Sequence, residues 1–197
     1  MQGASEWGFW KQGSGVRIYP AAKILNPERV VVGSNIIIDD FVFIGSHKKL
    51  IIGNYVHIAN HASITGGGEC LLCDFAGISS GTRVLTGSDD FLGGGLTGPP
   101  IPAPYRAVSR SRVVIEAYAV IGANCVVLPG VTIGEGATVG AGSVIRKSLK
   151  PWGVYVGQPL RWLRARPKEK LVELTQRLFD DCGLPEHRYL DKALLDS

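Results

Sequence analysis

The sequence predicts an all-β chain wound into a three-sided parallel β-helix of about six coils. One long excursion loop interrupts it and a C-terminal α-helix closes it. Three observations lead there. First, an aliphatic residue returns at every sixth position at Ile115, Ile121, Val127, Ile133, Val139 and Ile145, and Gly122, Gly134 and Gly140 directly follow three of them. A helix repeats near 3.6 and an ordinary strand near 2, whereas a longer fixed period marks a repeat architecture. Second, the beat continues upstream through Ile18 and Ile24, then Val32, Ile38 and Ile44, then Ile52, Ile58 and Ile64, then Leu72, Ile78 and Val84. Steps of six within a group and eight between groups give coils of 20 residues there and 18 downstream. Third, hydrophobic residues make up 45% of the chain and charged residues 19%, with 26 glycines, which suits a turn-rich fold around a continuous apolar axis.

Taken in order, residues 1–14 lack the beat and carry Trp7, Phe9 and Trp10, as expected of a cap over the open end of the first coil. Residues 15–150 form the β-helix, with coils starting near 12, 32, 52, 72, 115 and 133. Each strand points one branched residue to the axis, and Gly or Asn takes the turns. The period stops after Val84 and resumes near Ile115. The excursion over 85–112 contains Gly93-Gly94-Gly95 and four prolines, Pro99, Pro100, Pro102 and Pro104, which no ladder accommodates. A loop this long in a compact domain is functional or disordered. Residues 151–197 form a closing segment and a helix, with Leu171, Leu174 and Leu178 at helical spacing, Pro167 in the first turn and Gly183 at the end.

A chain of 197 residues supports one domain with a core. Net charge is +4, too small an excess to suggest nucleic acid. No apolar run approaches the ~18 residues of a membrane helix, and the N-terminus has no basic start followed by an apolar block. The expected compartment is the cytoplasm. Cys70 and Cys73 form a lone C-x-x-C, read as one inward and one turn-facing side chain, and no metal is expected.

The stretch from Ile121 to Ile145, followed by PWGVYVGQPLRWLRAR, resembles the hexapeptide-repeat acyltransferases, in particular the galactoside and maltose acetyltransferase-like branch. The resemblance covers roughly residues 15 to 166. It implies a left-handed prism, a homotrimer, acetyl-coenzyme A as co-substrate, and transfer of an acetyl group to a hydroxyl or amino group of a nucleotide-linked or glycan sugar in lipopolysaccharide, O-antigen or capsule synthesis. It also implies a loop that reaches across the subunit boundary to frame the active site. Coenzyme A is expected along the groove between subunits, over the late coils. There Ala123, Gly140, Ala141, Gly142 and Ser143 leave room for the pantetheine arm. Arg146, Lys147, Arg161 and Arg164, with Arg166, offer a positive end for the phosphates, and Pro159 shapes the adenine end.

Transfer from a thioester needs a base for the acceptor's proton. Of the four histidines, His47, His57, His61 and His187, the pair His57 and His61 lies next to Thr65-Gly66-Gly67-Gly68, where missing side chains make space. A helper carboxylate is expected to fix the histidine tautomer. Family members of the galactoside type carry a histidine a few residues after the strand leading into the loop. Here that place reads Thr86-Gly87-Ser88-Asp89-Asp90, so Asp89 and Asp90 are alternative bases, and an amine acceptor is mildly favoured. Two rival readings are a non-catalytic β-helix assembly module and a γ-type carbonic anhydrase-like metalloenzyme. The latter needs three histidines converging on zinc.

Overall fold

The computed structural model describes residues 7–45 and 48–182. The chain winds into a left-handed β-helix with three flat faces. Face 1 stacks Lys11–Gln12, Val30–Val32, Lys49–Ile52, Glu69–Leu72, Val113–Ile115 and Thr132–Ile133, all parallel. Face 2 stacks Arg17–Ile18, Ile37–Ile38, His57–Ile58, Gly77–Ile78, Val120–Ile121, Thr138–Val139 and Gly153–Val156, and Arg161–Ala165 returns antiparallel along the last of these. Face 3 stacks Lys23–Ile24, Phe43–Ile44, Ser63–Thr65, Arg83–Leu85, Val126–Val127 and Val144–Ile145. Six full coils are therefore followed by a partial seventh, built from the Leu149 bridge to Ile133 and the Gly153–Val156 rung. The last rung extends the expected count because residues 151 onward begin by adding to face 2 before the chain turns away.

Register follows the period. Val32 pairs with Ile52, Ile52 with Leu72, Leu72 with Ile115 and Ile115 with Ile133, so the ladder closes over the excursion without a slip. Every predicted axial residue from Ile18 to Ile145 is buried in one continuous core. Cys70 belongs to that core and Cys73 lies partly buried at the following turn. Burial pushes the Cys70 thiol up to about 12, which makes it a small apolar side chain and not a nucleophile. At the open end, Trp7 and Phe9 pack against the core while Trp10 stays largely exposed. The first rung already starts at Lys11, which pairs with Val31.

The three edges between faces are built differently. On the edge between faces 1 and 2, Asn35, Tyr55, Phe75, Tyr118 and Trp152 all adopt positive φ. A bulky residue there is strained by about 1–3 kcal/mol. Stacking offsets much of this: Tyr55, Phe75 and Tyr118 lie face to face at 5.0 and 5.1 Å, and such pairs contribute about 0.5–1.5 kcal/mol beyond burial. The helix α1 (Glu169–Asp181) docks on this column through buried Phe179, 6.0 Å from Phe75. Leu171 and Leu178 turn partly inward and Leu174 stays 46% exposed. Gly183, the expected helix end, lies outside the described residues.

The edge between faces 3 and 1 emits the excursion. It leaves and returns as a two-stranded antiparallel ribbon, Gly87–Ser88 against Ser109–Arg110. Just beyond the ribbon, Asp89 accepts from Arg106 Nη2 at 2.6 Å and Nε at 3.1 Å, and from the Gly98 amide at 3.0 Å. The guanidinium hydrogen bonds hold the Asp89 carboxyl below its ordinary value. Asp90 accepts from the Leu92 amide at 3.2 Å and from the Gly94 amide, capping its own turn. The loop tip is apolar and open, with Phe91 83% and Leu92 95% exposed.

Two measurements check this account. Ile58→Ala, in the middle of the axis, should cost about 2–5 kcal/mol in a denaturant titration; a loss under about 0.5 kcal/mol would place the core elsewhere. Asp89→Asn should expose 91–105 to limited proteolysis without lowering the prism's melting temperature. Because the folded carboxyl is depressed, the clamp is fully present above the unfolded aspartate value and is lost as pH falls through the lower folded value. Protection of the loop should therefore persist as acid passes the ordinary aspartate value and disappear only below it.

Candidate functional site

The edge between faces 2 and 3 collects the chemistry. Its turns carry Phe41, His61, Gly81, Asn124 and Gly142, each with positive φ, in successive coils. Coil spacing of about 4.8 Å makes this a straight seam about 20 Å long. Above His61 the seam is lined by small residues: Ser79, Ser80 and Gly81, then Gly122, Ala123 and Asn124, then Gly140, Ala141 and Gly142. Gly142 is the extreme case, since a Cβ there would touch nothing within 4 Å. The turn with the cis Gln158–Pro159 bond closes the top of the seam, because Gln158 Oε1 accepts from the Val144 amide. A long, narrow ligand arm can lie against this backbone.

At the lower end stands His57, outward-facing on face 2. Its Nε2 lies 3.0 Å from Asp39 Oδ2. An ionised carboxylate only accepts, so Nε2 carries the proton and the Nδ1 lone pair is left for a substrate. His57 and Asp39 are 54% and 30% exposed, so the pair is open to ligand. The sequence reading anticipated a helper carboxylate without naming it. The signal was present: Ile37 pairs with His57 and Ile38 with Ile58, so the 20-residue period puts Asp39 opposite Ala59, diagonal to His57 and on the same outward side.

The candidates of the carrier site divide. Ala123, Gly140, Ala141 and Gly142 share the seam, and Pro159 and Arg161 sit at its top. Ser143 is fully buried with its hydroxyl donating to the Gly140 carbonyl, so it is part of the wall. Arg146 and Lys147 follow the last face 3 strand and lie exposed at the opposite end of that face. Arg164 lies across face 2 on the return strand, paired with Val154. Arg166 donates from Nη1 to the Tyr118 and Gly136 carbonyls at 2.8 and 2.9 Å, tying the return strand to the aromatic edge, and burial pushes its guanidinium below the usual value.

His61 is placed differently from His57. Its ring stacks on Phe41 at 5.0 Å and 7°, and its carbonyl accepts from Arg83. Asp89 and Asp90 lie at the excursion, committed to Arg106 and to loop amides. The glycine run Gly66–Gly68 is not beside the histidines. It lies at the next edge, under the ribbon, where an added Cβ would meet Gly87 N at 2.3 Å and the Ser111 carbonyl oxygen at 2.4 Å. Those glycines admit the chain's own loop. His47 and His187 lie outside the described residues. Among the described residues no three His, Cys, Asp or Glu side chains are grouped to hold a metal. No helix there is long and apolar enough to cross a membrane. An open cleft of about 250 Å³ lies between α1 and face 2, lined by Phe75, Tyr118, Val120, Arg166, Leu174 and neighbouring α1 residues.

Known proteins share the fold. A profile of the bacterial transferase hexapeptide (six repeats) matches residues 112–147. No curated protein matches the chain. Among solved structures, a cysteine variant of the N-acyltransferase AntD from Bacillus cereus, bound to dTDP-4-amino-4,6-dideoxyglucose and coenzyme A, is 40% identical. That match covers 90% of this chain and 94% of the other, with a TM-score of 0.85. AntD bound to dTDP and 3-hydroxybutyryl-coenzyme A is 41% identical over 91% of this chain and 94% of the other, with a TM-score of 0.84. A galactoside acetyltransferase in complex with coenzyme A shares the fold alone, at 17% identity over 83% and 68% of the two chains and a TM-score of 0.55. The hexapeptide beat, the coil-on-coil register and the AntD likeness along nearly the whole chain together establish that this protein belongs to the hexapeptide-repeat acyltransferases.

Proposed function

We propose that the protein transfers an acyl group from a coenzyme A thioester to the amino group of a nucleotide-linked sugar. The observation that carries this reading is the oriented His57–Asp39 pair at the foot of a seam of small residues. The pantetheine arm runs down the seam from the Pro159 turn and Arg161, bringing the thioester to coil 3 or 4. His57 Nδ1 takes the proton of the acceptor amine as its nitrogen attacks the thioester carbonyl. A C–N bond forms, the C–S bond breaks, and the imidazolium returns the proton to the departing thiolate.

The acceptor class is supported by the AntD complexes with dTDP and with a dTDP-linked amino sugar. AntD has also been varied at a serine and at an aspartate ten positions further on. Ser79 with Asp89, and Ser80 with Asp90, have the same spacing here, and Ser79 and Ser80 lie on the seam immediately above the histidines. Nitrogen is favoured over oxygen as the acceptor, and acetyl is one of several acyl groups the open seam admits. The loop's exposed apolar tip supports a trimer in which it covers a neighbour's seam. A cytoplasmic enzyme supplying acylated sugars for surface polysaccharides is consistent with a coenzyme A donor and a nucleotide-sugar acceptor.

A free-thiol assay with dTDP-4-amino-4,6-dideoxyglucose, and acetyl- or 3-hydroxybutyryl-coenzyme A as donor, tests the reading. His57→Ala should lower kcat by about 10²–10⁴ with the KM for the donor unchanged, and Asp39→Asn should cause a smaller loss. Full turnover by His57→Ala would remove it as the base.

A further inference from the structure

The outward positions of face 2 form a column in register: Ile37, His57, Gly77, Val120 and Thr138. Gly77 is the one member of that run without a side chain. Most other glycines of the prism have a structural reason, though an added Cβ would meet side chains only at 3.3 Å on Gly45 and 3.0 Å on Gly140. A Cβ on Gly33, Gly53, Gly122 or Gly134 would come within 2.7 Å of a neighbouring coil, and eleven more glycines among the described residues, most of them at turns, have positive φ. Gly77 has neither reason. Its φ is not positive, and a Cβ would meet only the Val120 methyls at 3.9 Å, an ordinary contact. A glycine inside a strand gives up side-chain packing and marks a bulge, a bend or the close approach of a ligand. There is no bulge: Gly77 pairs with His57 below and Val120 above without a shift.

The geometry points to Gly77 as a specificity-determining position. Its missing side chain leaves a shelf between the His57 imidazole and the Val120 methyls, two rungs or about 10 Å apart. We infer that the ring of the acceptor sugar lies on this shelf, with its amine turned to Nδ1. This inference rests on the reading of His57 as the base. Both faces of the shelf that flank the ring fit the proposed substrate. The lower side offers the oriented imidazole. The upper side is two methyls with no hydrogen-bond donor or acceptor, which suits an apolar ring substituent such as the methyl of a deoxy sugar and leaves a hydroxyl there unpaired. Beyond Val120 the face opens into the cleft beneath α1, so the shelf is not closed off at its upper end.

Gly77→Ala and Gly77→Val test this in the full-length enzyme, with dTDP-4-amino-4,6-dideoxyglucose as acceptor. The expected result is a graded fall in kcat/KM for the acceptor, small for Ala and about 10–200-fold for Val, carried mainly by KM. The KM for the acyl-coenzyme A should not move, and the melting temperature should stay level or rise, since valine suits a strand better than glycine. Unchanged acceptor kcat/KM in both variants overturns the proposal. So does a drop in melting temperature that parallels the loss of activity, because the glycine is then structural. His57→Ala, run alongside, separates the two claims. If it is inactive while Gly77→Val is unaffected, the shelf is wrong and the base stands. If it is fully active while Gly77→Val loses acceptor affinity, the base is wrong and the shelf stands.

Discussion

Hydrogen bonding of each coil to the next is the constraint on which everything else depends. A parallel rung satisfies the backbone of a strand only two or three residues long, and it does so only if the following coil presents its strand at the same height. That requirement fixes the sequence distance between neighbours at 20 residues in the early coils and 18 in the late ones. Residues far apart in sequence therefore become contacts by arithmetic. The ladder even reaches over the excursion, where Leu72 meets Ile115 directly. Local chain preference could not hold such short strands alone, since fixing each residue costs about 1–2 kcal/mol. The axial aliphatics, worth about 1.5–3 kcal/mol each when fully buried, supply the compensation, and the ladder puts them on the axis.

The same arithmetic sorts function by edge. One edge spends its turn positions on stacked aromatics and so acquires a docking surface for α1. A second edge opens to release the excursion, and its glycine run is explained by the ribbon that lies on it. The third keeps its turns small from Ser79 to Gly142 and places a carboxylate-oriented imidazole at the base. Among the described residues, this last edge brings room and an oriented proton acceptor together. The oxygens of Asp89, which the sequence offers as an alternative base, are held by a guanidinium and an amide, and those hydrogen bonds lower its pKa.

The period made the prism legible. Axial residues, coil lengths and the excursion all follow from counting, because a buried axis tolerates few residue types. The site was less legible because its members belong to different coils and face solvent, where composition is unconstrained. His57 was visible as a residue type, but its partner Asp39 needed the coil register to be applied to polar positions as well. Gly66–Gly68 misled because a glycine admits a ligand and a chain segment equally well, and only the course of the loop decides between them. The cations show the same gap between sequence and space. Arg146, Lys147, Arg161, Arg164 and Arg166 are close in sequence, yet the end of face 3, the turn at Pro159 and the return strand distribute them over three edges and a face.

Amide hydrogen exchange with and without saturating coenzyme A tests the central claim most directly. If the carrier lies along the seam between faces 2 and 3, exchange should slow at 79–81, 122–124 and 140–142, one segment per coil, with the aromatic edge unchanged. Protection confined to the aromatic edge or to face 1, with those three turns exchanging as before, would contradict the account.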